Sequence, residues 1–98
     1  MPEATLEVRN PSGLHARPAA LFVKAANRFA SEITVTNLSR DPAHEVSARS
    51  LLAVLALGVS RGHQVRICAE GADAEEAIHT LSELVEGGLG EAIPESPS

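Results

Sequence analysis

The 98-residue chain has no tryptophan and no tyrosine, and Phe22 and Phe29 are its only aromatic side chains. A hydrophobic core must therefore be built mainly from aliphatic residues, and 44% of the chain is apolar. The scarcity of aromatic side chains leaves little surface on which single-stranded nucleic acid can stack. The net charge is −5 and no cluster of Lys and Arg occurs, so we expect no nucleic-acid partner.

Cysteine and long apolar runs are also scarce. Cys68 is the only cysteine, which excludes a disulfide within the chain and a cysteine-based metal cluster and suits a reducing cytosol. The longest apolar run, "LLAVLAL" at residues 51–57, is far shorter than a membrane span. The amino terminus lacks the basic-then-apolar pattern of a signal peptide. We therefore expect a cytoplasmic protein with no direct insertion into a membrane.

Charge is unevenly distributed along the chain. Residues 1–62 carry seven basic and five acidic side chains, whereas residues 63–98 carry one basic and eight acidic side chains. We interpret the acidic part as the solvated face of a helix, because runs of like charge on a periodic segment usually serve solubility.

Hydrophobic periodicity predicts seven elements in the order β-α-β-β-α-β-α. Alternation with a period of two indicates strands, and a helical spacing of apolar residues indicates helices. The predicted strands are "TLEVRN", "SEITVTNL", "EVSA" and "HQVRICAE", and the predicted helices span residues 16–29, 49–58 and 71–88. This order in a short chain predicts one domain over residues 1–90, an open sheet with helices on one face. Residues 91–98, rich in Pro, Ser and Glu, are predicted to be a disordered tail.

Three residues mark the predicted helix starts. Pro18 belongs in a first helical turn, where its missing N–H is harmless. Ser50 is a typical N-cap, with Gly58 just beyond the end of the same helix. Asp73 is predicted to cap the last helix, with Glu76 three residues later as in a capping box.

His15 lies at the start of the first predicted helix, within "SGLHARPAAL". Free amides and a positive dipole end make a helix N-terminus an anion site, and a cationic imidazolium is disfavoured there. We expect a neutral, nucleophilic ring that accepts a phosphoryl group, with Ser12, Ala16 and Arg17 contacting the phosphate. Gly13 lets the preceding loop fold tightly. His44, His63 and His79 have no comparable neighbours and are interpreted as ordinary surface residues.

Three segments carry a family resemblance. "GLHARPAA", "ARSLLAVLALGVSRG" and "EGADAEEA" are similar to the motifs of HPr, the histidine phosphocarrier of the bacterial sugar phosphotransferase system, and the resemblance covers roughly residues 3–91. It implies an α+β open-faced β-sandwich, a four-stranded antiparallel sheet with three helices on one face. It also implies that His15 carries phosphate on Nδ1, paired by Arg17, and that Ser50 is a regulatory phosphorylation site.

The resemblance further implies the partners. Enzyme I would donate the phosphoryl group to His15 and a sugar-specific enzyme IIA would accept it, with an HPr kinase/phosphorylase acting on Ser50 in some hosts. The protein would be a monomer, would need no cofactor or metal of its own, and would be a carrier rather than an enzyme. The Met1 start favours a free carrier over a piece of a multiphosphoryl protein.

The seven apolar residues of the second helix cannot all face one sheet. We interpret the surplus as a partner-docking patch beside His15, ringed by positive charge that attracts acidic surfaces. Its predicted members are Ala20, Leu21, Lys24, Arg49, Leu51, Leu52 and Leu55.

Two other functions remain open at this point. One is a regulatory paralogue that acts through Ser50, or through a nitrogen-linked or dihydroxyacetone-kinase phosphorelay. The other is a small metal-binding module that uses some of the four histidines, although none shows a close ligand spacing. The stretch "NLSRDPAHEV" is about four residues longer than the usual hairpin of the family, which affects partner contacts more readily than phosphotransfer.

Overall fold

The computed structural model describes residues 2–91. Its elements occur in the predicted order β-α-β-β-α-β-α. They are β1 (Glu3–Glu7), α1 (Ala16–Ala26), β2 (Glu32–Asn37), β3 (Glu45–Ser47), α2 (Leu51–Ala56), β4 (Gln64–Glu70) and α3 (Ala74–Glu86).

The four strands form one antiparallel sheet in the order β1-β4-β2-β3. β4 and β2 are the two inner strands, and in β4 Val65 lies opposite Leu6 of β1 and Ile67 lies opposite Val35 of β2. The short β3 pairs with β2 as an antiparallel hairpin. Alternate residues of β4 are buried while Cys68 is half-exposed on the other face. The antiparallel, open-faced α+β sandwich is thereby confirmed.

The core lies between the sheet and the helices and is almost entirely aliphatic. Phe22 of α1 is fully buried and is the largest side chain in this layer, beside Leu81 and Val85 of α3 and Val54 of α2. Burial of each such side chain contributes about 1.5–3 kcal/mol. The packing holds the N-termini of α1 and α2 in fixed places relative to the sheet.

α1 ends at Ala26, three residues before its predicted end. The N–H and Nδ2 of Asn27 both donate to the carbonyl of Val23 at 3.0 Å, so this residue closes the last turn. The chain then turns over residues 27–31 to enter β2, and Phe29 packs half-buried at the edge of the core.

The start of α3 differs from the prediction. Asp73 occupies the N-cap position, but its side chain makes no hydrogen bond to its own helix, so the predicted capping box is wrong. Its carboxylate instead accepts hydrogen bonds from the N–H groups of Ala30 and Ser31, at 2.8 and 2.9 Å, and from the hydroxyl of Ser31. The bond from the Ser31 hydroxyl is the main cause that lowers the pKa of Asp73. Asp73 therefore ties α3 to the entrance of β2.

Candidate functional site

The loop before α1 is packed tightly against residues 59–60. Gly13 has φ +61°, and a Cβ there would lie 2.2 Å from the carbonyl oxygen of Val59, so only glycine fits this approach. The N–H of Leu14 donates to the same carbonyl at 3.0 Å, and the Leu14 side chain is fully buried. The loop therefore enters α1 from a fixed point, and the next residue, His15, is exposed.

His15 occupies the N-cap of α1 with extended backbone, φ −125° and ψ 158°. Its side chain makes no capping hydrogen bond, so the imidazole does not serve the helix. Ala16 follows with φ +45°, an unfavourable conformation for a residue that has a Cβ. Tertiary packing thus holds the ring outward at a cost in local backbone strain.

The amides at the start of α1 are available to a ligand. The N–H groups of Ala16 and Arg17 lie in the first turn, where the helix supplies no acceptor, and Pro18 has no N–H. Among residues 2–91, neither of those amides nor the exposed guanidinium of Arg17 has a hydrogen-bond partner. The exposed imidazole of His15 is therefore followed directly in the chain by two free amides and a guanidinium, at the positive end of a helix dipole. This is a suitable environment for an anion.

Ser12 is already engaged in the structure. Its N–H donates to Oε1 of Glu91 at 3.0 Å and its hydroxyl donates to Oε2 at 2.8 Å. Nδ2 of the buried Asn10 also donates to Oε1 of Glu91, at 2.9 Å. These bonds, the one from Asn10 first, lower the pKa of Glu91.

Glu91 corrects the predicted start of the tail. The sequence predicts a disordered segment from residue 91, but the Glu91 side chain is bound to the loop before His15; residues 92–98 lie outside the described residues. Glu91 and Asn10 are the site neighbours that sequence reasoning missed. No local pattern links two residues 81 positions apart.

The predicted docking residues lie on α1, on α2 and directly before α2, and the two helices pack against each other. Leu52 is 81% exposed and Leu51 is 40% exposed, while Val54 and Leu57 of the same apolar run are buried. On α1, Ala20 and Lys24 are exposed. Leu21 and Leu55 are half-buried.

Arg49 is held in place more firmly than the sequence predicted. Its Nη2 donates to the carbonyl of Ser31 at 3.0 Å and also to the carbonyl of Phe29. The guanidinium therefore fastens the entrance of β2 while its residue remains exposed. Its charge still lies beside the amino end of α2.

Ser50 caps α2 as predicted. Its hydroxyl oxygen accepts a hydrogen bond from the N–H of Ala53 at 3.2 Å, and the residue is exposed. Gly58 follows the helix with φ +61°, also as predicted. Ser50 therefore directly precedes the exposed Leu51 and Leu52.

Two of the other histidines have side-chain partners. His79 pairs with Glu83 on the surface of α3, with Nε2 2.7 Å from Oε1. Nδ1 of His63 accepts a hydrogen bond from the N–H of Ser60 at 3.1 Å. Residues 2–91 contain no group of three or more His, Cys, Asp or Glu side chains placed to hold a metal ion. No helix within that range is long and apolar enough to cross a bilayer.

An antiparallel open-faced sandwich that presents an exposed histidine at the start of its first helix is the architecture of a small phosphocarrier domain. A family model described as the PTS HPr component phosphorylation site matches residues 2–87. The chain therefore belongs to the HPr family, the phosphocarriers of the phosphotransferase system.

Individual relatives agree with this assignment. The crystal structure of HPr-C-His from Thermoanaerobacter tengcongensis has a TM-score of 0.87 and 46% identity, covering 95% of this chain and 100% of that one. The multiphosphoryl transfer protein of Haemophilus influenzae is 46% identical over 93 residues, 95% of this chain and 18% of that protein. The HPr-like protein Crh of Bacillus subtilis is 42% identical over 86 residues, 88% of this chain and 96% of Crh. The chain thus spans only 18% to 23% of the multiphosphoryl transfer proteins it matches.

Proposed function

We propose that this chain accepts a phosphoryl group from phosphorylated enzyme I on His15 and donates it to a sugar-specific enzyme IIA. The observation that carries the proposal is the exposed His15 ring at the N-cap of α1, which makes no bond to its own helix. The unpartnered amides of Ala16 and Arg17 follow it directly, with Pro18 closing the first turn.

The transfer is a displacement at phosphorus between two imidazoles. The lone pair of His15 Nδ1 attacks the phosphorus of the phosphohistidine on enzyme I, and a new P–N bond forms as the old one breaks. The phosphohistidine of enzyme I carries a proton on its other ring nitrogen, so it leaves as a neutral imidazole, and His15 keeps its own proton on Nε2. The amides and the Arg17 guanidinium stabilise the three phosphoryl oxygens, so the chain contributes position and charge complementarity.

The surface beside His15 supports docking of a protein partner. Leu51 and Leu52 are exposed, and exposed leucines next to each other are typical of an interaction surface. Arg17 and Lys24 add positive charge, which favours partners with an acidic surface. The same surface serves donor and acceptor in turn, because both must bring a histidine to His15.

A regulatory role through Ser50 is the second candidate function. Ser50 is exposed at the N-cap of α2, and the similar Crh protein is named as an HPr-like protein. A phosphate on Ser50 adds a charge of roughly −2 beside Leu51 and Leu52. That charge must be desolvated when a partner docks, so phosphorylation of Ser50 opposes transfer at His15.

The test of the first function is a phosphorylation assay. The chain is incubated with phosphoenolpyruvate and a bacterial enzyme I, and the acid-labile phosphate is mapped by mass spectrometry. We expect phosphate on His15 alone in the wild type and in the matched control His79→Ala. Label that persists in His15→Ala contradicts the assignment of the site.

A further inference from the structure

The segment that follows α3 has a defined path. Gly88, Leu89 and Gly90 have φ values of +93°, +52° and +83°, which reverse the chain after the helix. Leu89 is fully buried, and its N–H donates to the carbonyl of Leu84 at 3.0 Å. A Cβ on Gly90 would lie 2.9 Å from Cδ1 of Leu21, so the segment passes close to α1. This path delivers Glu91 to the loop before His15.

Three donors converge on the Glu91 carboxylate. Two come from Ser12, its N–H and its hydroxyl, and the third is Nδ2 of Asn10. Nδ2 of Asn10 also donates to the carbonyl of Gly13 at 3.0 Å. A flipped amide would point its oxygen at both acceptors, so the orientation of Asn10 is fixed. The loop thus forms a cluster of donors suited to an anion, and an internal carboxylate occupies it.

This occupancy conflicts with the expected contact between Ser12 and a phosphate on His15. Ser12 precedes His15 by three residues, and both of its donors already serve Glu91. A phosphoryl group that recruits either donor must take it from a carboxylate of the same sign of charge. The carboxylate therefore opposes the phosphorylated state.

We propose that Glu91 is a positioning residue that holds Ser12 while His15 is unphosphorylated and releases Ser12 when His15 carries the phosphoryl group. Glu91 thereby makes phosphorylated His15 less stable and favours onward transfer of the phosphoryl group. The inference rests on the proposed function, because it concerns the same site. The same hydrogen bonds lower the pKa of Glu91, so the carboxylate is ionised at neutral pH.

The experiment is a partition measurement between two chains. Equal amounts of wild-type protein and Glu91→Ala are mixed with a catalytic amount of enzyme I and a limiting amount of phosphoenolpyruvate, so that phosphoryl groups exchange to equilibrium. Intact-mass spectrometry then measures the phosphorylated fraction of each chain. We expect the partition to favour Glu91→Ala by about threefold to tenfold, since a charge-assisted competitor is removed. Glu91→Gln, which keeps the size of the side chain, should shift it in the same direction by less.

Two controls distinguish competition for the Ser12 donors from a general effect of removing negative charge and from a loss of structure. Glu86→Ala removes the same charge from an exposed position at the end of α3 and should partition equally with the wild type. Ser12→Ala removes the shared hydroxyl, so adding Glu91→Ala to it should shift the partition less than in the wild-type background. A merely structural role predicts a lower melting temperature for Glu91→Ala with no gain of phosphate.

The outcomes distinguish this inference from the function on which it rests. If no variant takes phosphate from enzyme I, the proposed function fails and the inference fails with it. If all variants are phosphorylated but Glu91→Ala partitions equally, or less favourably than the wild type, only the role of Glu91 is overturned. A shift of the same size in Glu86→Ala also overturns it.

Discussion

The N-termini of α1 and α2 are both exposed, but they differ in whether the side chain at the N-cap accepts a hydrogen bond from a free amide of the helix. At α2, the Ser50 hydroxyl accepts a hydrogen bond from its own helix. At α1, His15 occupies the same position and makes no such bond. Presentation of its ring is accompanied by backbone strain at Ala16. A cap that bonds its helix stabilises the fold, whereas a cap that does not leaves the amides for a ligand. The difference predicts which substitutions affect function and which affect stability.

The largest effect is expected for His15→Ala, which should abolish phosphoryl acceptance from enzyme I. Because the ring makes no capping bond, the melting temperature should stay within about 2 °C of the wild type. The measurements are phosphate incorporation and thermal unfolding followed by circular dichroism. A clearly lower melting temperature would show that His15 supports the helix after all.

Arg17→Ala should slow transfer by about 100-fold, because it removes a guanidinium that stabilises charge on the phosphoryl oxygens. Arg17→Lys should recover part of the rate, since lysine keeps the charge but lacks the planar fork. Rapid-quench kinetics with phosphorylated enzyme I provides the measurement. Exposed Arg28, just beyond the end of α1, offers a matched control, and transfer by Arg17→Ala at the wild-type rate would rule out the role.

Ser50→Asp should weaken phosphorylation by enzyme I by about tenfold and leave the fold intact. An aspartate is also a good N-cap, so the melting temperature should be equal to or slightly above that of the wild type. The negative charge beside Leu51 and Leu52 opposes docking. Steady-state phosphorylation at several enzyme I concentrations should show a raised KM, and wild-type kinetics would place the docking surface elsewhere.

Ser50→Ala should destabilise the chain by about 1 kcal/mol, the usual cost of losing a side-chain N-cap. Phosphoryl transfer should be close to the wild-type rate, because the substitution adds no charge to the docking surface. Chemical denaturation with urea measures the free energy of unfolding. Ser50→Ala would then lose stability and keep transfer, whereas His15→Ala would lose transfer and keep stability. This result would sharpen the contrast between the two helix starts.

Asp73→Asn tests the third helix start, where the carboxylate serves a neighbouring turn instead of its own helix. The pKa of Asp73 is lowered in the folded state, so its stabilising contribution is present above the ordinary pKa of aspartate and is lost as pH falls through the lowered pKa. We expect the melting temperature of Asp73→Asn to be roughly 5 °C lower at pH 7. The difference from the wild type should shrink below about pH 4. A constant difference down to pH 2 would show that charge is not involved.

The sequence predictions were correct where the contacts that matter lie within one helix or strand. Alternation in residues 33–35 and 65–69 identified the buried face of the sheet. The Ser50 cap and the glycine after α2 also followed from spacing alone, because capping depends on residues three or four positions apart. The prediction failed at Asp73, whose carboxylate accepts hydrogen bonds from the turn before β2 and none from its own helix.

What the sequence by itself determined is the set of elements, their order, and the position of His15 with Arg17 at a helix start. These depend on local periodicity and on the missing N–H of Pro18. Only the tertiary structure decided which polar side chains reach across the molecule: Glu91 to Ser12 and Asn10, Asp73 to Ala30 and Ser31, and Arg49 to Phe29 and Ser31. The physical reason is that a carboxylate or guanidinium has many nearly equivalent partners in an unfolded chain. The packing of the sheet and helices brings one of these partners within hydrogen-bonding distance.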